Sequence, residues 1–214
     1  VDTDSCSFSK QDGSEFTHDE QMTCIDEIND TLPEMIKFSH DGYLTHLLIV
    51  RTKNYAYVED GKKTIRGASL RATSKEPALK AFIIEAIDML LFEDSPDIHS
   101  LYVKYVKKIL ALDSIDDWCS KRSITNKVFE SERANETKIV DAIRGKEFSI
   151  GDKIYIYFRP DGTLGLKSEW TGDHDQSRLL SKLYATMKTF DTVVDAAPFI
   201  NYSLKTKRKF LEAI

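Results

Sequence analysis

Residues 54–67 read NYAYVEDGKKTIRG, two strand-like stretches on either side of Asp60-Gly61. A two-residue hairpin turn of type I′ needs positive φ at both central positions, and Asp-Gly meets that need with a twist that suits the flanking strands. NYAYV and KTIRG are therefore expected to pair as a hairpin, and THLLIVRT just before them reads as a further strand. The period then changes. Pro77 suits the first turn of a helix, and Leu79, Phe82, Ile83, Ala86, Ile87 and Leu90 recur at helical spacing. After Ser95-Pro96 the same spacing returns in Leu101, Tyr102, Tyr105, Val106 and Ile109. A sheet followed by two packed helices is the expected order, and the fold class is α+β.

Elsewhere the signals are of the same two kinds. Thr17 and Glu20 form a capping box ahead of Met22, Ile25, Ile28 and Leu32, which predicts a helix from about residue 18 to Leu32 or just beyond Pro33. DDWCSKRSITNKVF, beyond Ile115, reads as irregular. Glu136 to Arg144 is expected to be a short helix stopped by Gly145. KIYIYF and TLGLK flank Pro160-Asp161-Gly162 as a second hairpin, and Leu179, Leu180, Leu183, Tyr184 and Met187 mark another helix. Lys205 to Lys209 form a basic tail.

Charge is segregated along the chain in a way that the net charge of −5 conceals. Residues 1–50 hold 11 acidic and 2 basic side chains, whereas residues 51–80 hold 8 basic and 3 acidic ones. The basic residues Arg51, Lys53, Lys63, Arg66 and Arg71 are interleaved with tyrosine, serine, threonine and glycine, the groups that grip phosphate and sugar. Nucleic acid is the expected partner. The three cysteines are far apart and lack CxxC spacing, so neither a disulfide framework nor a zinc site is indicated. The five histidines show no ligand spacing, and no G-x-x-x-x-G-K phosphate loop occurs. No apolar run is long enough to span a bilayer and no basic-then-apolar leader is present, so the expectation is an intracellular, cytoplasmic protein with no membrane partner.

VDTDS, followed some fifty residues later by TKNYAYVEDGKKTIRG and then EPALKAFI, resembles the C-terminal part of a family B DNA polymerase. In that family a Tyr-x-Asp-Thr-Asp-Ser motif sits at a palm-domain hairpin, and Val1 to Ser5 reproduce it from the second position onward. Thr52-Lys53-Asn54-Tyr55 takes the place of the family's Lys-Lys-Arg-Tyr element, which touches the new duplex; Lys53 and Tyr55 match, Thr52 and Asn54 do not. DWCSKRSITNKVFESERANETKIVDAIRGKEFSIGDKIYIYF is similar to the thumb of phage, viral and archaeal members.

The resemblance implies a palm end over residues 1–75 and a thumb over residues 76–214. It implies two-metal nucleotidyl transfer from deoxynucleoside triphosphates to a primer 3′ end, with Asp4 as a direct Mg²⁺ ligand and Asp2 as a supporting carboxylate. Lys53 and Tyr55, with Arg51, Lys63, Arg66 and Arg71, are the expected contacts to primer-template DNA. Two carboxylates at i and i+2 of an extended chain point to the same side, as a shared metal site requires. The family's first and second polymerase motifs and its exonuclease carboxylates are not found in the sequence. The chain is therefore expected to be a C-terminal portion interrupted at the third motif, host-cytoplasmic if phage or viral. It would be inactive alone and completed by an N-terminal portion that carries the exonuclease and the remaining palm and fingers motifs. The alternative is a non-catalytic DNA-binding or processivity subunit with a thumb fold.

Overall fold

The computed structural model describes residues 6–71, 76–131 and 133–194. They fall into two units: the residues through Leu47 together with Tyr57–Thr64, and Leu48–Ala56 together with the residues from Ile65 onward. The fold is mixed α+β, with helices and two small antiparallel three-stranded sheets.

In the first unit, helix α1 spans His18–Asp30. Its start follows from the capping box: Thr17 Oγ1 accepts from the Glu20 amide at 3.3 Å, and Glu20 accepts from the Thr17 amide at 2.7 Å. Lys10 closes on the same carboxylate at 2.8 Å, and these donors hold Glu20 down at a pKa of about 2. The helix ends at Asp30 with Thr31 as cap, earlier than the sequence pattern suggests. Its apolar residues are half-buried at best, and none is fully buried. Among the described residues of this unit only Val58 is buried.

Strands β1 (Leu44–Arg51), β2 (Asn54–Glu59) and β3 (Lys62–Arg66) form one sheet in that order. The β2–β3 turn is as expected: Asp60 and Gly61 have φ of 49° and 72°.

The second unit holds both hydrophobic clusters. Short helix α2 (Ala68–Arg71) precedes the long α3 (Pro77–Phe92), which packs against α4 (Ile98–Leu110). Phe82 and Tyr105 meet edge to face at 5.3 Å between centroids inside this cluster. Asp97 caps α4 by accepting from the Ser100 amide. Glu76 precedes α3 without capping it. Its buried carboxylate instead receives the Ser120 hydroxyl at 2.8 Å and the Lys182 ammonium. Burial raises its pKa, but the Lys182 charge and these hydrogen bonds outweigh that and leave it lowered.

The segment read as irregular from the sequence is ordered, and the reason is tertiary. Asp116–Trp118 make a 3₁₀ turn that buries Trp118, Ser120–Ser123 form strand β4, and Asn126–Glu130 form α5. Four polar residues such as Ser120–Ser123 carry no strand signal of their own. They become a strand by pairing with β5 (Lys153–Phe158), with Lys121 opposite Tyr155 and Ser123 opposite Lys153. Helix α6 (Ala134–Ile143) ends before Gly145, whose φ of 74° is the expected stop. The second hairpin joins β5 to β6 (Leu164–Leu166), so the sheet runs β4-β5-β6. Ile124, Val128, Ile139, Ile143, Ile154, Ile156, Leu164 and Leu166 form its own apolar cluster. Helix α7 (Gln176–Met187), capped by Asp175, packs against α4.

Candidate nucleic-acid interface

Asp2 and Asp4, the expected metal ligands, lie outside the described residues, as does the Lys205–Lys209 tail. Among the described residues no group of three or more His, Cys, Asp and Glu is arranged to hold a metal ion. The residues expected to contact DNA lie among the described ones.

Their centre is the turn between β1 and β2. Lys53 sits at the turn with φ of 60°, a left-handed conformation uncommon for a residue with a side chain. The neighbouring Asn54 holds it. Its Nδ2 donates to the Thr52 carbonyl at 3.0 Å, while its Oδ1 accepts from the Ser69 amide at 3.1 Å. Asn54, one of the two residues that depart from the family element, thus ties the turn to α2. Gly67 completes the clamp. With φ of 98°, it brings its backbone so close that an added Cβ would lie 2.3 Å from the Lys53 carbonyl oxygen and 2.4 Å from Asn54 Oδ1. The sequence signal for this was available, because a glycine after a strand often marks close backbone approach.

The consequence is that Arg66, beside Gly67, and Arg71, whose amide donates to the Gly67 carbonyl, are anchored next to the Lys53 turn through the backbone. Lys53, Arg66 and Arg71 are exposed, and none of them forms an ion pair among the described residues. Tyr55 is half-buried, on the strand that leaves the turn. Arg51 is placed differently. Its guanidinium pairs with Asp191 at 2.5 Å and donates to the Lys188 carbonyl at 2.9 Å, while the Thr192 hydroxyl donates to the Val50 carbonyl. Arg51 is thereby committed to fastening β1 to the turn after α7. Lys63 belongs to the other unit and is half-buried on β3. Three exposed cations around one backbone-locked turn can bind phosphates without reading bases.

Tyr102, Tyr105 and Tyr157 are buried. The Tyr157 hydroxyl donates to Asp173 at 2.7 Å, and burial together with this bond pushes its pKa up to about 12. Tyr155 is 41% exposed, with Lys121 and Lys167 beside its ring, an arrangement the sequence did not reveal because β4 was unrecognised.

No family's sequence profile matches this chain, and no curated protein matches it by sequence. No helix among the described residues is long and apolar enough to cross a membrane. Comparison of folds finds the family B DNA polymerase of the hyperthermophilic archaeon Pyrobaculum calidifontis, with a TM-score of 0.61 and 11% sequence identity. The similarity covers 81% of this chain and 24% of the archaeal one, so this chain spans about a quarter of that polymerase. At such identity the likeness is one of architecture: the chain has a fold similar to part of a family B DNA polymerase.

Proposed function

We propose that this chain is the end of the palm and the thumb of a template-directed DNA polymerase, with the palm part over residues 1–75 and the thumb over residues 76–214. The observation that carries the proposal is the similarity of fold to a family B polymerase over 81% of the chain. The VDTDS stretch and the locked Lys53–Tyr55 turn support it from the sequence side.

In this reading Lys53, Arg66 and Arg71 hold primer-template phosphates near the growing end. Tyr55 faces the same duplex, and the helices after Pro77 clasp it through its backbone. Asp4 and Asp2 would hold Mg²⁺, which when bound activates the primer hydroxyl and stabilises the leaving pyrophosphate. The remaining palm and fingers motifs come from a further polymerase portion. It also covers the apolar side of α1, which the first unit alone leaves half-exposed.

The test is primer extension with Mg²⁺ and four deoxynucleotides, by this chain alone and mixed with a polymerase portion that carries the missing motifs and is encoded beside it. Extension is expected only in the mixture. Asp4→Ala should lower it by about three orders of magnitude or more while primer-template binding stays within about threefold. Extension by the Asp4→Ala mixture at the parent rate would refute the assignment. A mixed complex that binds DNA and never extends it would favour the non-catalytic processivity subunit instead.

A further inference from the structure

The β4-β5-β6 sheet has one face closed by its apolar cluster, where Ile154 and Ile156 of β5 are buried; the other face is buried at Tyr157 and exposed at Lys153 and Tyr155. The pairing with β4 sets Lys121 opposite Tyr155 and Ser123 opposite Lys153, on the same face. Lys167, just beyond β6, reaches the same ring. The ammonium groups of Lys121 and Lys167 lie 5.9 and 5.6 Å from the Tyr155 centroid. Tyr155 is 41% exposed, so its ring is open to solvent between two cations, with a third, Lys153, one step along the strand. Among the described residues, the acidic group paired with this patch is Asp116, 2.8 Å from Lys167, so Lys167 exchanges that partner for a phosphate on binding.

We propose that this face binds single-stranded nucleic acid, with an unpaired base stacked on Tyr155 and the flanking phosphates held by Lys121, Lys153 and Lys167. An exposed aromatic ring can stack only on a base whose own face is free, which a continuous duplex does not offer. Lysines on both sides of the ring match the phosphates on both sides of one nucleotide. They give affinity without base choice, as a strand of any sequence demands. The Lys53 turn, by contrast, offers exposed cations around a backbone clamp, a duplex-type phosphate contact. The choice of nucleic acid over other polyanions rests on the polymerase reading; the choice of a single strand rests on Tyr155.

The experiment measures fluorescence anisotropy of the full chain at low ionic strength, with a labelled oligothymidylate of about 16 nucleotides and with a blunt duplex of the same length. Tyr155→Ala should weaken thymidylate binding by about 5- to 100-fold, while Tyr155→Phe stays within about twofold and duplex affinity is unchanged. Lys121→Ala and Lys167→Ala should each flatten the dependence of log K on log salt by about 0.7. Since Tyr155 is exposed, an unaltered thermal midpoint is expected for every variant and verifies the fold. Thymidylate binding by Tyr155→Ala equal to that of the parent overturns the inference. Binding of duplex with no binding of thymidylate overturns it too and leaves the polymerase reading standing; binding of neither likewise overturns it, and the polymerase reading is then decided by primer extension in the mixture.

Discussion

Helices α1 and α3 both carry apolar residues at helical spacing and meet opposite fates. α3 buries Ala78, Leu79, Phe82, Ile83, Ala86, Ile87 and Leu91, while α1 buries none of its residues. The difference is not in the helices themselves, since α1 has the better cap: a full capping box against none at Glu76. Periodicity states which face of a helix favours burial. It does not state whether the chain in hand supplies the cover. α3 finds its cover in α4 and α7, both on the same unit. The cover of α1 is, in the polymerase reading, a neighbouring palm element.

The sharpest way to break the comparison is to truncate one side chain in each helix. Phe82 is fully buried and packs edge to face on Tyr105, so Phe82→Ala should cost about 3–5 kcal/mol of stability in urea unfolding. Met22 on α1 is 39% exposed, and Met22→Ala should cost under about 0.5 kcal/mol in the isolated chain. Comparable losses at the two positions would show that α1 is as well supported as α3. In the polymerase reading, the Met22→Ala penalty should grow once a further polymerase portion is bound, seen as weaker association.

A second comparison sets two glycines of positive φ against each other. Gly61 at the β2–β3 turn has open space where a Cβ would go, whereas Gly67 has backbone and Asn54 atoms within 2.7 Å. Gly61→Ala should therefore cost about 1 kcal/mol from backbone strain alone. Gly67→Ala adds a clash with the Lys53 carbonyl, for about 2–3 kcal/mol in all, and should loosen the Lys53 turn. Weaker duplex binding by Gly67→Ala than by Gly61→Ala is the expected readout. Equal effects would deny that Gly67 positions Lys53.

Much of this was legible in the sequence, and the parts that were not share a cause. The Asp60-Gly61 hairpin, the capping box at Thr17, the helices after Pro77 and Pro96 and the Gly145 stop are all local chemistry, read from a few adjacent residues. β4 is not legible locally, because its four polar residues are strand only through pairing with β5, and neither is the register that places Lys121 beside Tyr155. The basic stripe was visible as composition. That Arg51 leaves it to pair with Asp191, 140 residues away, is tertiary information. The role of Asn54 in holding Lys53 likewise depends on Ser69 and Gly67 returning to the turn.

The smallest effect expected concerns pH and compares two groups on neighbouring residues, Asp173 and His174. Asp173 accepts from Tyr157 and Arg159; against the burial that raises it, these bonds lower its pKa to about 2, so it stays charged down to strong acid. His174 accepts the Trp170 indole N–H on Nδ1 at 3.3 Å, which leaves the proton on a buried Nε2. Burial pushes its pKa below the ordinary 6.5, more than the Asp173 and Asp175 carboxylates raise it. The unfolded chain then binds the imidazole proton more readily than the folded one. The stability contributed by His174 is thus fully present above pH 6.5 and is lost as the pH falls through its lower folded value. Protonation would also turn Nδ1 into a donor facing the Trp170 donor, which points the same way. Urea midpoints taken from about pH 8 down to about pH 5 should fall for the parent chain, and less steeply for His174→Gln. The Asp173 contribution, lost as the pH falls from the ordinary 3.8 through its folded value of about 2, does not enter that window. A parent midpoint that stays level or rises as the pH drops below 6.5 would show that the imidazole is not held neutral by its burial.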